Sequence, residues 1–438
     1  DAQESRGLGD VYKRQDLYPA DLASLLETLS PRNITLLFRL LPKELAAETF
    51  TFMDSDTQMH LISGFSDKEL REILDEIFVD DTVDIIEEMP ANVVSRILKN
   101  TDAETRKQIN AILDYPTDSA GSVMTTEYVY LHKNMTTKEA LDWIRKVGVV
   151  KETIYTCYIT ESRKLIGFVT ILDLVTADED ATIESIMDSN VKFVYTHEDR
   201  EDVAKKFSKY DFLAMPVVDN EERMVGIITF DDVLDVIAEE NEEDFSKMAA
   251  MQPIEDSYFK TSVFTHAKKR IGWLLVLMLS ATITGNLLTK YEEAFQAIPI
   301  LVSFIPMLMS TGGNCGSQSS TTVIRGLATG EIQFKDFFKA VFKEFRISLI
   351  ISVILAVTNG LRIFIFYKNL QLSIVITLSI IGTVIIAEFI GCALPLIAKK
   401  VKLDPAIMAT PLISTIVDTC SMLIYFQFAT MIFSELRH

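Results

Sequence analysis

From about residue 270 onward the chain is a succession of apolar segments, roughly 271–289, 294–324, 347–367, 370–398 and 405–434. Each approaches or exceeds the ~20 residues that cross a bilayer as a helix. Inside lipid every backbone amide must be satisfied within its own segment, so this half can fold only as a helical bundle. The last segment carries one acid away from its start, Asp418. A carboxylate at that depth is costly unless it faces water, a cation or a partner group, which makes Asp418 the first functional candidate. Basic residues flank the segments unevenly. Lys268, Lys269 and Arg270 precede the first, Arg325, Lys335, Lys339, Lys343 and Arg346 lie between the second and third, and Lys399, Lys400 and Lys402 lie between the fourth and fifth. The positive-inside rule then puts everything before residue 268 in the cytoplasm and the C-terminus outside.

The remainder of the chain is of another kind. The formal net charge of −20 divides into −25 over residues 16–250 and +5 over 251–438. So acidic a body does not bind nucleic acid by neutralising phosphates; it attracts cations. The four cysteines, Cys157, Cys315, Cys392 and Cys420, lack metal-binding spacing and read as packing residues. The histidines are scattered and no nucleophile–base pair is evident, so an enzyme is not expected. Residues 1–15, DAQESRGLGDVYKRQ, have no periodic pattern and read as an artefact or disordered segment outside the fold.

Residues 16–114 form short Leu-rich stretches stopped at breakers such as Ser30-Pro31, Leu41-Pro42, Ser66-Asp67, Met89-Pro90 and Thr101-Asp102. That spacing suits stacked short helices wound into a superhelix. Thr101 followed by Glu104 predicts a capping box. Beyond 115 two stretches are alike: TCYITESRKLIGFVTILDLV from Thr156 and MPVVDNEERMVGIITFDDVL from Met215. They align Gly167 with Gly226, Thr170 with Thr229 and Asp173 with Asp232, at a period of 59 residues. Each copy reads as strand, polar turn, strand and a helix opened by its aspartate, with an amphipathic helix upstream at 138–147 or 200–210. This β-α-β-β-α tandem resembles a pair of CBS domains, over 115–188 and 189–240. CBS pairs often bind adenine nucleotides, and the resemblance puts ATP near Tyr155 and Asp173. On the residues alone, Tyr155 serves equally as strand core and Asp173 as a helix cap.

A helical connector is expected from 231 to about 268. Along its start Asp232, Asp235, Glu239, Glu240 and Glu243 fall on neighbouring faces, where like charges repel. Solvation or a divalent cation must compensate. The second apolar segment then continues IPMLMSTGGNCGSQSSTTVIRGLATGEI from Ile305. Its glycines suit close helix contact, and Asn314, Gln318 and several hydroxyls need a polar environment. The segment therefore reads either as a tight packing face or as a polar wall beside a water-filled path.

The phrase Pro306…Gly312-Gly313-Asn314-x-Gly316-x-Gln318-Ser319, followed by Arg325-Gly326-Leu327-Ala328-x-Gly330, resembles the signature of the MgtE family of bacterial magnesium channels. So do Leu403-Asp404-Pro405-Ala406, Pro411-Leu412, Val417-Asp418 and Leu423-Ile424-Tyr425, and the resemblance extends over about 16–438. It implies a multidomain membrane protein: an all-α superhelical N-domain (16–114), an α/β tandem CBS pair, a connecting plug helix (241–268) and a five-helix transmembrane domain (269–438). It implies a homodimer in the bacterial inner membrane that passes Mg2+ and is closed by cytoplasmic Mg2+. The family's pore carboxylate corresponds to Asp418, with Gly312, Gly313, Asn314, Gly316, Ser317, Ser414 and Ser421 as pore-lining candidates. Its sensor acids correspond to Glu48, Asp80, Asp84, Asp199, Glu201, Asp211, Asp232, Asp235, Glu240, Glu243 and Asp244. Ser317, Thr410, Ser414 and Ser421 depart from residues common in relatives, which bears on selectivity. Glu388 has no counterpart in the pattern; it is a candidate for the pore, for a pair with Arg362, or for a protonated site in the bundle. Two other readings are a coupled secondary transporter of cobalt or magnesium using Glu388 as a proton site, and a membrane-anchored metal or nucleotide sensor.

Overall fold

The computed structural model describes residues 17–254, 258–259, 261–408, 410–433 and 436; the expectation for 1–15 lies outside them. The chain divides into two compact units, residues 1–237 and 238–438.

The first unit opens with short helices: α1 (Pro19–Glu27), α2 (Pro31–Phe38), α3 (Lys43–Thr51), α4 (Ser55–Gly64), α5 (Asp67–Leu74), α6 (Val79–Glu88), α7 (Ala91–Asn100) and α8 (Ala103–Leu113). Proline opens α1 and α2, where its missing N–H costs nothing. Ser66 and Glu69 form a reciprocal capping box at α5. At α8 the cap is Asp102, whose carboxylate accepts from the amides of Glu104 and Thr105. Thr101 instead ends α7, with its hydroxyl on the Ile97 carbonyl, so the capping box expected at Thr101 is not formed. Helices pack on the helix two places along, α1 on α3, α3 on α5, α5 on α7 and α6 on α8, which makes the superhelix.

Two three-stranded sheets follow. The first joins β1 (Tyr128–Leu131), β2 (Thr153–Glu161) and β3 (Lys164–Thr170) in that order; the second joins β4 (Val194–Tyr195), β5 (Ala214–Val218) and β6 (Met224–Thr229). In each, the first pair is parallel and the second antiparallel. The sheets carry α9 (Thr137–Val147), α10 (Ile171–Thr176), α11 (Ile183–Ile186) and α12 (Arg200–Tyr210). Gly226 is required by a close approach: a Cβ there would stand 2.6 Å from the Thr125 carbonyl of a crossing segment. Residues of α1 to α8 and of the second sheet share one hydrophobic core, while the first sheet has its own.

The expected plug over 241–268 is not a single helix. α13 runs unbroken over Phe230–Met248, through the expected boundary at 240. Residues 249–254, 258–259, 261 and 262 are not helical, and 255–257 and 260 lie outside the described residues. Ala250 has φ 53° and Pro253 follows, a combination that ends a helix. α14 (Val263–Lys290) then starts from the Ser262 cap.

In the second unit α15 (Glu292–Ala297) and a 3₁₀ turn (Pro299–Phe304) lead into α16 (Ile305–Ala328), so the expected span over 294–324 is broken at its prolines. α17 (Phe337–Tyr367), α18 (Leu370–Lys400) and α19 (Thr410–Ile432) complete the unit. Among the described residues four helical stretches are long and apolar enough to cross a membrane: Val263–Lys290, Phe334–Tyr367, Leu370–Lys400 and Pro405–Ile432. α16, with 24 residues, extends ~36 Å, but its glycines, hydroxyls and amides keep it out of that apolar set. It packs instead against α18 and α19. Those contacts depend on missing side chains. A Cβ on Gly391 would collide with the Gly316 carbonyl, and one on Gly312 would stand 2.7 Å from Thr383 Cγ2 and 2.8 Å from Ser421 Oγ. Tyr425, fully buried, donates its hydroxyl to the Leu301 carbonyl at 2.8 Å and ties α19 to the 3₁₀ turn.

The α16–α18 contact yields a test. Gly391→Ala should cost ~1–3 kcal/mol by overpacking, read as a fall of several degrees in the melting temperature of the purified protein. Gly272→Ala, where a Cβ meets nothing within 4 Å, is the control and should leave it unchanged; equal melting of both variants would refute the close-packing account.

Candidate ion pathway and acidic sensor

Asp418 lies on α19 beside the residues that pack inward. Ile413, Val417, Ser421 and Tyr425 are buried on one face, and Val417 sits beneath Gly312 and Gly316 of α16. This leaves Asp418 on the flank, half-buried, one residue before Thr419, whose hydroxyl meets Thr284 of α14 at 2.9 Å. Among the described residues the Asp418 carboxylate has no hydrogen bond or ion pair. A carboxylate has only acceptor sites, so this one is left to be served by water or a cation.

The small residues expected along the pore have divided roles. Gly312, Gly313, Gly316 and Ser421 are buried at helix contacts and do not line a free surface, because only residues this small let α16 close on its neighbours. Ser414 is half-buried against Gly313, and Ser317 is half-buried with its hydroxyl oxygen unpartnered. Asn314 is exposed and begins a polar stripe along α16 with Gln318, Thr321, Thr322 and Arg325. A groove of about 440 Å³ runs over Ser317 and the later part of this stripe.

Glu388 is 2% exposed and is not paired with Arg362. Its carboxyl is within hydrogen-bonding reach of Glu344 on α17, itself 7% exposed. The Ser319 hydroxyl donates to the Glu388 carbonyl at 3.1 Å. Glu344 escaped the sequence reading because Lys343 and Arg346 beside it suggested a loop. The signal was present: Ala340, Glu344, Ser348, Ser352, Ala356 and Gly360 recur at every fourth position and form the buried stripe of α17.

In the first unit the acids converge. Asp80, Asp81 and Asp84 of α6 interact with Asp231, Asp232 and Asp235 at the start of α13, and with Glu127 and Glu152, which precede β1 and β2. Burial, reinforced by neighbouring carboxylates, pushes Asp80 and Asp232 up to about 7 and Glu152 up to about 8. Asp232 Oδ2 accepts from the Thr229 amide and hydroxyl, at 3.2 and 2.5 Å. Among the described residues Asp80 Oδ1 and Glu152 Oε2 are buried without a partner. The donor set is hard oxygen throughout, suited to Mg2+ or Ca2+. Among the described residues no three acids, histidines or cysteines stand close enough to hold one ion as they are. Asp81, Glu127, Glu152 and Asp231 were missed in the sequence, where nothing links the loops before two strands to α6.

Other expected sensor residues are elsewhere. Glu48 is exposed on α3. Asp199 caps α12, accepting from the amides of Glu201 and Asp202. Glu201 pairs with Lys205 at 2.9 Å, and Asp211 ends α12 in the left-handed conformation. In the second unit Lys247 bridges Glu243 and Asp404, each at 2.7 Å, while Glu240 and Asp244 are also engaged. Tyr155 and Asp173 are both exposed; Asp173 Oδ2 is occupied by the amide and hydroxyl of Thr170, the helix's N-cap.

Comparison with known proteins identifies the domains that carry these features. Residues 17–118 match the MgtE intracellular N domain, 120–180 and 183–239 match the CBS domain, and 305–428 match MgtE, described as a divalent cation transporter. The magnesium transporter MgtE of Thermus thermophilus is 33% identical over 434 residues, 98% of this chain and 96% of that one. That of Bacillus subtilis is 31% identical over 424 residues, 94% and 93% of the two chains. Among solved structures, the soluble part of a magnesium transporter superposes with a TM-score of 0.50 at 27% identity, over 55% of this chain and 94% of that one. Identity at this level, sustained along nearly the whole of both relatives, leaves one assignment: the chain belongs to the MgtE family.

Proposed function

We propose that the protein is a magnesium channel or transporter of the bacterial plasma membrane, in which Asp418 holds a hydrated Mg2+ and the acidic unit closes the path when cytoplasmic Mg2+ rises. The observation that carries the reading is the unpaired Asp418 carboxylate inside an apolar helix of a chain whose relatives transport magnesium. Mg2+ sheds water reluctantly and is usually held by one or two carboxylates with several waters kept. A single carboxylate that keeps the ion's water shell fits that coordination.

The α16 stripe supports a homodimer. Asn314, Gln318, Thr321 and Arg325 would face lipid in a lone chain, which is costly. A two-fold axis along the stripe would turn it into a wet wall and bring two Asp418 side chains to one site. The basic flanks favour a cytoplasmic first unit and an external C-terminus. Asn314, Ser317 and Ser414 would line the path. A nucleotide at the CBS pair would stack on the exposed Tyr155 ring. The Glu344–Glu388 pair favours a second reading, proton-coupled transport, which a dependence of flux on a proton gradient would reveal.

Closure follows from repulsion. Packing holds Asp80, Asp232 and Glu152 near one another, and bound Mg2+ would relieve their repulsion and select the arrangement that closes the path. Asp199, Glu201, Asp211 and Glu48 do not join this cluster and enter the reading only if ions bridge them in another arrangement.

Three outcomes are expected. Asp418→Asn should lower Mg2+ flux into liposomes at least tenfold with an unchanged melting temperature; undiminished flux would exclude Asp418 from the path. Asp80→Asn combined with Asp232→Asn should raise the Mg2+ needed for closure by more than tenfold, measured as single-channel or dye-detected flux. The third concerns pH. Asp80, Asp232 and Glu152 have folded values near 7 to 8, above the ~4 of an unfolded carboxyl. Their contribution is therefore full below about pH 4 and is lost as pH rises through about 7 to 8. With metal chelated, the protection factors of the α6 amides, that is, exchange rates corrected for the base-catalysed rate of an unfolded chain, should be larger at about pH 5.5 than at about pH 8.5, by an amount on the order of 2 kcal/mol per group. Mg2+ should restore the protection at the higher pH; protection factors that do not change with pH would sink the repulsion mechanism.

A further inference from the structure

Arg362 is the one charge on α17 between Arg346 and the helix end at Tyr367. It opens onto a groove of about 650 Å³ lined by Ser303, Phe304, Met307, Phe366 and Tyr367. Its guanidinium donates to the Met307 sulfur at 3.2 Å. Among the described residues no carboxylate pairs with it. A thioether is a weak acceptor, and a guanidinium has five donors and does not lose its proton. The site therefore has donors to spare and lacks an acceptor.

The groove's position selects the acceptor. It lies between the start of α16 and the end of α17, where the Phe304 and Tyr367 rings meet edge to face at 5.6 Å. These helix ends are remote in sequence from the basic flanks at 325–346, so the orientation given above puts them at the outer surface of the bilayer. Aromatic rings at a helix end mark the headgroup level, and an arginine a few residues inside it reaches outward along its own stem. The groove walls are apolar apart from Arg362, Ser303 and the Tyr367 hydroxyl, and they continue into the exposed apolar face of α17 at Leu361, Ile365 and Phe366. A hydrated inorganic phosphate gains nothing from such walls, whereas a phosphodiester bearing an acyl chain fits both parts. A planar guanidinium also binds phosphate through two parallel hydrogen bonds.

We propose that this groove binds one outer-leaflet phospholipid per chain, its phosphate on Arg362 and an acyl chain along Phe366 and the outer face of α17. The proposal rests on the membrane orientation of the preceding section, and Mg2+ flux by the wild-type chain tests that section separately, since lipid retention needs no transport. Native mass spectrometry of the full chain, purified in detergent with added phosphatidylglycerol, should show a retained lipid. Arg362→Gln should reduce that retention at least fivefold, Arg362→Lys should be intermediate, and inorganic phosphate in excess should not displace it. Equal retention in wild type and both variants overturns the proposal. Displacement by inorganic phosphate overturns it in favour of a free-anion site. A change of oligomeric state in Arg362→Gln with lipid retention intact overturns it in favour of a contact with a second copy.

Discussion

A carboxylate with no counter-charge among the described residues, held on an apolar helix, sets the requirements that the rest of the membrane unit meets. Asp418 can stay there only if its surroundings are rigid enough to keep lipid away and open enough to admit water. The rigidity comes from small residues. Gly312 and Gly316 bring α16 down on Val417 of α19, and Gly391 brings the backbones of α16 and α18 together. Polar atoms that this packing does not use, on Asn314, Gln318 and Asp418, are left on the flank. Close contact on one side of α16 and exposed polar side chains on the other are thus two consequences of one sequence pattern; the packing role is seen in the contacts, and the path role belongs to the proposed function.

The acidic unit poses the opposite problem, many carboxylates gathered together, with Asp80 buried and the others half-buried or exposed around it. Left to themselves the carboxylates of α6 and α13 would separate. They are kept close because Val79, Val83 and Ile86 on α6, and Val233 and Val236 on α13, belong to the same hydrophobic core. Core packing opposes repulsion, and under the proposed mechanism a doubly charged ion or a change of protonation would shift that balance. Such a balance is what a sensor needs, since a ligand shifts an equilibrium only by its differential affinity for the two states.

Much of this architecture was legible in the sequence. The 59-residue repeat gave both small sheets, because Gly-x-x-Thr-x-x-Asp encodes a close backbone crossing followed by a cap. The breakers of the N-terminal region gave its helices, although Asp102 and not Thr101 makes the cap, since a carboxylate competes for the same two amides. Pro253 and the positive φ at Ala250 divide the expected plug helix, a break that acidic periodicity alone concealed. Tertiary neighbours were not legible. Glu127 and Glu152 precede two strands of one sheet and meet α6 only after folding, and Glu344 and Glu388 lie on successive helices with no local sign of pairing.

The two copies of the repeat show why location decides function. Thr170 with Asp173 and Thr229 with Asp232 make the same side-chain hydrogen bond, 2.5 Å in each. Asp173 is exposed and acts as part of a cap, whereas Asp232 points into a crowd of carboxylates that burial has made reluctant to ionise. Further along the same helix, Lys247 offers a built-in cation to Glu243 and Asp404. An ammonium supplies one charge and three donors, and a divalent ion supplies two charges with firmer geometry. The carboxylates at that end of α13 are thus already satisfied by a lysine at 2.7 Å, whereas among the described residues Asp80 Oδ1 and Glu152 Oε2 have no partner.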